Sequence, residues 1–372
     1  MKRLGRLLGV LATLAMVGTA CGSSGSSASG SGSASASCTT TAQKTMDAAK
    51  QPIKPEVPSE KVPVASLKGK SVWFISPSQA TAYALGVSQG VQAAAAAAGL
   101  DVHIFDGKGQ PTLYNEGINQ AVAAQAAAII AYAIDPSLIS QSLPHANSAG
   151  IPVLTAMTGQ PASSGIYAAI NPDIAALGRL QADAALKQTN CKLNGGIVFA
   201  SNFTILSAMK DAAVAEVKTL CSSCMMTELN VQLPTVATQL GPLTSSTLAR
   251  VPNLNLFIAT WDQAAVYMVP AIEQAQNSSV RIVGANGNSA NLDFIRQGRI
   301  QVSDAAYPPA SYLGWQLFDQ SLRSIAKQSP AKITVQVQML DRSNIGQAGA
   351  DETAIFPGLA GYQSAFKKAW GL

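Results

Sequence analysis

Short apolar runs alternate with helical patterns through the first half of the chain. The runs at residues 72–75, 102–105, 128–134 and 152–155 predict strands. Between them apolar positions recur at spacings of three and four residues, as over 87–98, which predicts helices. No hairpin pattern joins consecutive strands, so we predict a parallel sheet covered by helices on both faces.

The same alternation resumes at residue 166 and predicts a second sheet of similar size. Asn171 is expected to cap its first helix. The remaining elements are expected as strands at 196–200, 226–231, 256–260 and 280–284, a strand at 298–306, a long helix opened by Pro308-Pro309, and a strand at 333–339. The fold class is therefore α/β, with two Rossmann-like lobes built on parallel sheets.

Two such lobes, joined by several crossings of the chain, imply a ligand cleft between them. We expect residues 69–163 plus 308–339 to form lobe 1, and residues 164–307 plus 340–372 to form lobe 2. Ligands of parallel sheets bind beyond the carboxyl ends of the strands. In lobe 1 this rule selects the loops at 76–83, 106–113, 135–136 and 156–159, with Asp135-Pro136 also opening a helix that contains Leu138, Ile139 and Leu143.

The N-terminal region has the composition of an exported protein. Residues 1–20 combine a basic start, an apolar run and a small-residue end, which is typical of a signal peptide. Cys21 follows directly and resembles the lipidated cysteine of bacterial lipoproteins, although Gly18 stands where those proteins usually have leucine. Ordinary cleavage that leaves Cys21 as a thiol is the alternative. Residues 21–68, rich first in Gly and Ser and then in Pro, are expected to form a tether with one short helix at 39–49.

The net charge gives no indication of a nucleic-acid partner. The formal charge is +5, but three basic residues lie in the signal peptide, so the mature chain carries about +2. No run of Lys or Arg provides a phosphate-binding patch. No helix-turn-helix pattern precedes the first lobe.

Four cysteines, Cys38, Cys191, Cys221 and Cys224, remain after Cys21. An even number outside the cytoplasm favours disulfides, with three possible pairings. Cys191 and the Cys221/Cys224 pair precede strands of one predicted sheet, so a disulfide between Cys191 and one of the pair is our first choice. A redox role for Cys221 and Cys224 is the alternative, but they follow a helix, whereas a redox pair needs a helix N-terminus.

The order and spacing of several motifs over residues 70–372 resemble the type 1 periplasmic binding proteins, the ribose-binding-like group that serves ABC importers. These motifs are the helix ending at 95–99, the turn at 105–107, the run at 119–135, and the segments at 149–153, 252–257, 261–265, 283–287, 356–358 and 366–372. The lipoprotein-like start and the Gly/Ser tether are similar to those of actinobacterial binding proteins.

This resemblance implies a function and a location. The chain is expected to be a monomeric lipoprotein on the extracytoplasmic face of the cell membrane. It would bind a small molecule, close its lobes and deliver the ligand to an ABC permease, with hinge crossings near 159–165, 304–309 and Leu340. A sensor that reports ligand occupancy to a membrane receptor is the alternative.

The expected pocket departs from the sugar-binding members of the family. The resemblance places Met157 and Thr158 where those members have an Asp–Arg pair, and Trp261 where they have Asn. It places Ala208 where an arginine is usual, with Lys210 nearby, and Ala306 where a glutamine is usual. The candidate ligand-binding residues are Ser76, Gln79, Thr81, Tyr83, Asp135, Met157, Thr158, Trp261, Asp262 and Asn286.

These departures affect the expected ligand. Each buried sugar hydroxyl left without a partner costs about 1–3 kcal/mol. The changes therefore favour a less polar, uncharged ligand, or a sugar held by stacking and backbone groups. Asp262 follows a strand and opens a helix, so a role as a helix cap is its alternative.

The sequence offers little support for an enzyme. No His lies near a Ser or Cys motif, and no phosphate-binding loop or paired carboxylates stand out. Residues 106–109 are glycine-rich but lack phosphate-loop spacing and are expected to form a strand-to-helix turn. We predict no cofactor. We also predict no metal site, because His103 and His145 fall in a strand and a helix far from suitable cysteines.

Overall fold

The computed structural model describes residues 30–346 and 355–372. The expected signal peptide, Cys21 and the tether up to residue 29 lie outside the described residues. Across those two ranges, none of the helices combines the length and the apolar character needed to cross a membrane.

Helices and strands alternate along the described chain. The strands are β1 (Ser71–Ser76), β2 (Asp101–Asp106), β3 (Ala128–Tyr132), β4 (Val153–Ala156), β5 (Ala168–Ile170), β6 (Asn194–Phe199), β7 (Met225–Asn230), β8 (Leu256–Ala259), β9 (Arg281–Ala285), β10 (Gln301–Ala306) and β11 (Gln338–Asp341). The helices are α1 (Gly30–Ala49), α2 (Ala82–Ala98), α3 (Pro111–Ala123), α4 (Leu143–Ser148), α5 (Ile174–Gln188), α6 (Thr204–Leu220), α7 (Val236–Arg250), α8 (Asp262–Gln274), α9 (Ser289–Arg296), α10 (Ala310–Ile325) and α11 (Tyr362–Ala369).

The strands form two separate sheets, as predicted. One has the order β2-β1-β3-β4-β5 and is parallel throughout. The other has the order β11-β10-β9-β8-β6-β7, and only its edge strand β11 is antiparallel among the described strands. Central strands such as β3 are buried on both faces, which is why they appear in the sequence as continuous apolar runs. Each sheet with its helices forms one lobe.

The boundaries of the lobes differ from the prediction in two places. β5 pairs with β4 and so belongs to lobe 1, although the division was expected between residues 163 and 164. The C-terminal helix α11 packs on α10 and α2, which places it in lobe 1 rather than lobe 2. Trp370 explains this position, because its ring stacks on Trp315 of α10 at 5.2 Å and its indole N–H donates to buried Asp319 at 2.8 Å.

Helices α2 and α10 cross in lobe 1 at glycines. A Cβ atom on Gly90 would collide with the backbone of Ser311, and one on Gly314 would collide with the backbone of Val87. The absence of side chains at these two positions lets the helices approach closely. This packing fixes the start of α2, which lies at the cleft.

Four local predictions need correction. The cap of α5 is Asp173, whose carboxylate accepts from the N–H of Ala176, while Asn171 donates to the carbonyl of Gln160 in the loop between β4 and β5. The first crossing therefore follows β5 and does not lie near 159–165. The helix expected after Asp135 is a 3-10 turn, Pro136–Ile139, followed by the separate helix α4. The last strand begins only at Gln338, because residues 333–337 bond to neighbouring segments without forming a ladder.

The N-terminal segment is more structured than the predicted tether. Helix α1 begins at Gly30, not near residue 39, and packs on α5 of lobe 2. Residues 50–63 form neither helix nor strand, yet they run alongside the crossing that leads into β11. Gln336 bonds to both backbone groups of Lys54, at 3.2 and 2.8 Å, and Lys50 pairs with Asp341 at 2.7 Å. The segment then enters lobe 1, where Val62 is buried.

The expected disulfide pairing is wrong. Cys38 of α1 is bonded to Cys191, and Cys221 is bonded to Cys224. The two pairs have Cα–Cα distances of 6.3 and 5.3 Å. Because α1 packs on α5, Cys38 reaches Cys191 just beyond the end of that helix.

Candidate functional site

A cavity of about 300 Å³ lies between the lobes, at the carboxyl ends of strands from both sheets. At its rim the lobes contact each other. The hydroxyl of Thr204 in lobe 2 donates to Asp135 of lobe 1 at 2.8 Å. Gly109 of lobe 1 lies so close to Pro234 of lobe 2 that an added Cβ would be 3.2 Å from its ring. The cavity is therefore enclosed by both lobes.

Lobe 1 contributes aromatic and thioether side chains to the cavity wall. Tyr132 is the last residue of β3, and Met157 directly follows β4. Tyr83, in the first turn of α2, packs on Tyr307 with ring centroids 5.7 Å apart, and its hydroxyl donates to the carbonyl of Pro308 at 2.8 Å. This wall is thus anchored to the crossing that follows β10.

Lobe 2 contributes a second apolar wall with amides at one end. Phe203, just before α6, and Trp261, just before α8, face the cavity. Asn286, just after β9, accepts a hydrogen bond from the N–H of Asp262 at 3.0 Å through its side-chain oxygen. Asn288 lies in the same loop and also lines the cavity.

The backbone is strained where several strands end at the cleft. Ala133, Met157 and Asn286 line the cavity with φ values of 49°, 55° and 125°. Residues other than glycine rarely adopt positive φ, and such positions cluster at functional sites. The strain supports the assignment of this cavity as the site.

Five candidate ligand-binding residues line the cavity. They are Thr81, Tyr83, Met157, Trp261 and Asn286. The other five, Ser76, Gln79, Asp135, Thr158 and Asp262, do not contribute to its wall. The structure therefore brings together half of the predicted set.

Asp262 lies beneath the cleft instead of in it. Its side chain is fully buried and accepts from the N–H of Asn288 at 2.7 Å. Asp304 lies beside it and accepts from the N–H of Gly287 at 3.0 Å. Burial raises the pKa of Asp262 well above its ordinary value, and the neighbouring Asp304 raises it further. The expected ligand contact is thus a support for the loop that carries Asn286 and Asn288.

The other four predicted residues that do not line the cavity, Ser76, Gln79, Asp135 and Thr158, hold loops around the site. Thr158 bonds to Asn171 at the first hinge crossing through its backbone N–H, at 2.8 Å. The side chain of Gln79 accepts from Ser88 at 2.9 Å, and that of Ser76 is fully buried at the end of β1. Asp135 caps the following turn through Ser137 and accepts from Thr204 across the rim.

The cavity is nearly free of ionised groups. Among the described lining residues, Lys108 alone carries a charge, and its side chain is exposed. Burial raises the pKa of both Tyr132 and Tyr307, so these phenols stay neutral. Lys210, which lies near the position of the missing arginine, pairs with Asp211 at 2.6 Å and Glu228 at 3.2 Å and does not line the cavity.

Several lining residues were missed by the sequence analysis. Tyr132 and Tyr307 stand at or just after the carboxyl ends of β3 and β10, so the strand-end rule selects them once the strands are placed. Others come from loops and helix starts without a recognisable pattern, namely Phe203, Ile205, Leu206, Leu233, Val236, Gln263, Tyr267 and Asn288.

A comparison with known protein families identifies the family to which this chain belongs. The periplasmic binding protein domain matches residues 72–329, which is more than half of the chain. This chain belongs to the periplasmic binding protein family. No curated protein matches this chain significantly.

Solved structures share the two-lobed fold of this binding protein. A 5-methylthioribose transporter solute-binding protein from Thermotoga lettingae, in complex with 5-methylthioribose, is 16% identical with a TM-score of 0.71, covering 80% of this chain and 96% of that one. An ABC sugar transporter subunit from Rhodobacter sphaeroides is 18% identical with a TM-score of 0.67, covering 75% and 100%. An ABC transporter solute-binding protein from Mycobacterium smegmatis with bound glycerol is 19% identical with a TM-score of 0.64, covering 75% and 98%.

The family is one of solute-binding proteins, so this binding protein is not an enzyme. Within residues 30–346 and 355–372, no group of three or more His, Cys, Asp or Glu side chains could hold a metal ion. His103 stacks on Trp73 at 5.1 Å, and His145 bonds to Asn119 at 3.0 Å. Both histidines therefore have structural partners away from the cavity.

Proposed function

We propose that this chain is an extracytoplasmic, lipid-anchored solute-binding protein that delivers an uncharged small molecule to an ABC importer. One observation carries the proposal: the wall of the cavity is divided between the two lobes, with Tyr132 and Met157 on one side and Phe203 and Trp261 on the other. A solute that contacts both walls stabilises the closed arrangement, because it binds that arrangement more tightly than an open one. The closed protein, which we propose to be a monomer, is then the form that the permease recognises.

The hinge is suited to this motion. The strands of the two sheets are connected by crossings between the lobes after β5, after β10 and before β11. The first and third of these crossings are joined by a bond from the N–H of Val335 to the carbonyl of Asn171 at 3.2 Å. Loop segments at a hinge can absorb backbone rotation while both sheets stay rigid.

The importer role is tested with the solute that the protein carries. Native mass spectrometry of the chain purified from its own host should show a bound solute, which is then labelled. A strain that lacks the gene should lose uptake of this solute, and the wild-type chain should restore it. Undiminished uptake without the chain, together with retained binding, would favour the sensor alternative.

Membrane anchoring is tested at Cys21. The Cys21→Ala variant should appear in the soluble extracytoplasmic fraction, whereas the wild-type chain should stay with the membrane. Retention of the variant on the membrane would contradict the lipid anchor. A Cys38→Ala variant is the matched control, because it removes a different cysteine and should remain membrane-bound.

A further inference from the structure

The charge distribution around the cavity restricts its ligand, on the basis of the proposed solute-binding function. Lys108 stands alone among the described lining residues as a charged group, and it is exposed. The nearby carboxylates of Asp262 and Asp304 are fully buried and bonded to the backbone of the 286–288 loop. A cationic ligand would therefore find no accessible counter-charge, and a buried anion would have no partner except Lys108.

The walls restrict the ligand further. The side chains that meet across the cavity are Tyr83, Tyr132, Met157, Phe203, Leu233 and Trp261. Four of the hydroxyls that line the cavity already donate to protein atoms, namely those of Thr81, Tyr83, Thr260 and Tyr307. A polyhydroxylated solute would leave many of its own groups without partners here. An apolar ring would instead pack against aromatic faces.

One end of the cavity is different, because amide side chains form it. Tyr83, Gln263, Asn286 and Asn288 line both this cavity and an adjoining one of about 290 Å³. The oxygen of Asn286 is occupied by the N–H of Asp262, so its NH₂ group is the part left to donate. The indole N–H of Trp261, next in the chain to Asp262, is buried and has no partner in the described part of the chain. Through the NH₂ group of Asn286, this end thus offers a donor to a ligand acceptor.

We infer that the cleft binds an uncharged, two-part solute, with an apolar ring between the aromatic walls and a hydrogen-bond acceptor such as a carbonyl at the amide end. The volume of the main cavity lies at the small end of the range for ligand pockets, which suits a single ring with a short substituent. Asn286 is the residue that selects the acceptor.

The ligand class is tested by calorimetry and thermal shift on the mature chain carrying Cys21→Ala. The probes are acetophenone and related uncharged ring ketones, with benzoate and phenethylamine as charged counterparts and ribose and allitol as polyols. Ketones should raise the melting temperature and bind at least tenfold more tightly than the charged compounds. Stabilisation by the polyols alone, or by none of the probes, would overturn the inference. In the first case the importer proposal would stand.

The role of Asn286 is tested with a matched ligand pair. Asn286→Leu removes the donor, so it should weaken acetophenone binding at least fivefold and leave the binding of ethylbenzene, which lacks the carbonyl, unchanged. Equal weakening of both ligands would overturn the assignment of the acceptor end. Circular dichroism of the variant confirms that it is folded before either titration.

Discussion

Asp262 and Asp304 share one fully buried site beneath the cleft, where the side-chain amide of Gln301 donates to Asp304 at 2.9 Å and reaches Asp262 at 3.5 Å. Gly284 provides the space, because a Cβ there would lie 2.6 Å from one carboxylate and 2.8 Å from the other. Two carboxylates this close cannot both ionise without a large cost. The pair therefore holds a proton to a higher pH than an ordinary carboxyl does.

The retained proton predicts how stability depends on pH. Burial raises the pKa of Asp262 and of Asp304 above the ordinary value of 3.8. Above about pH 4 the unfolded chain loses protons that the folded chain keeps, so this contribution to stability falls as the pH rises. Asp262→Asn mimics the protonated carboxyl. Urea unfolding should show a shallower decline between pH 5 and pH 8 in the variant than in the wild type.

Asp341 provides the control with the opposite sign. Burial acts to raise the pKa of Asp341, but hydrogen bonds from Lys50 and Ser343 hold this pKa below its ordinary value. Its contribution is present above that value and is lost as the pH falls through the folded pKa. Asp341→Asn should therefore reduce stability at neutral pH and less so in acid. If the free energy of unfolding of Asp262→Asn fell between pH 5 and pH 8 as steeply as that of the wild type, the shared proton of Asp262 and Asp304 would be contradicted.

Asp183 should make the docking of α1 sensitive to pH. It lies buried on α5 under α1, where burial and the charge of Glu216 raise its pKa to about 7, despite a hydrogen bond from Thr45. Docking should weaken as the pH rises towards that value, because ionised Asp183 is poorly solvated there. Hydrogen exchange, corrected for its intrinsic pH dependence, should show less protection of α1 at pH 8.5 than at pH 5.5.

Two variants isolate the contribution of Asp183. Asp183→Asn should abolish the pH dependence of docking. Glu216→Gln should reduce it, because the negative charge that helps to raise the pKa of Asp183 is removed. The same trend in Asp183→Asn as in the wild type would assign the effect to another group.

The two disulfides should differ in their contribution to stability. The Cys38–Cys191 bond closes a loop with a sequence separation of 153, and the Cys221–Cys224 bond one with a separation of 3. The chain-entropy relation gives about 5 and about 2 kcal/mol for loops of these sizes. Paired substitution of Cys38 and Cys191 by Ala should therefore lower the free energy of unfolding more than the same change at Cys221 and Cys224.

Mass mapping without reduction checks the pairing itself. It should find peptides that join Cys38 to Cys191. A peptide that joins Cys191 to Cys221 or Cys224 would contradict the arrangement, as would equal losses of stability in the two paired variants.

The rim contact between Thr204 and Asp135 should favour closure. Partial burial acts to raise the pKa of Asp135, but hydrogen bonds from Ser137 and Thr204 hold this pKa below its ordinary value. Thr204→Val keeps the shape and removes the donor. Because the contact is exposed, the ratio of closed to open molecules should fall about two- to fivefold, as for a hydrogen bond worth about 0.5–1 kcal/mol.

Single-molecule fluorescence between labels at residues 116 and 218, one on each lobe, measures this ratio. Thr238→Val is the matched control, because the Thr238 hydroxyl bonds at 3.0 Å to Thr235 within its own lobe. Equal shifts in both variants would show that the rim contact has no specific role.

The sequence predicts the strands well and the cleft only in part, for a physical reason. A parallel strand is buried on both faces, so a run such as β3 is recognisable by itself. Whether Asp262 faces a ligand or the interior depends on Asp304, whose position relative to it is set only when β8 and β10 take their places in the sheet. Residues from loops, such as Phe203, carry no periodicity at all.

The N-terminal helix shows the same limit from the other direction. Cys38, Ala42 and Met46 are buried at a spacing of four residues, which is one face of a helix. The sequence predicts a short helix at 39–49, but the Gly, Ser and Ala residues before it favour a flexible tether, so the earlier start of α1 and its packing on lobe 2 are missed. Packing on α5 and the bond to Cys191 provide the stabilisation that helix propensity lacks.

The Cys38–Cys191 bond also determines how the molecule carries load. Helix α1 is covalently joined to lobe 2 before the chain reaches β1 in lobe 1. A pull on the N-terminal end of α1 therefore passes into lobe 2 and bypasses residues 50–63. If the chain is anchored at Cys21 as proposed, lobe 2 is the mechanically fixed body, and lobe 1 is the one that swings.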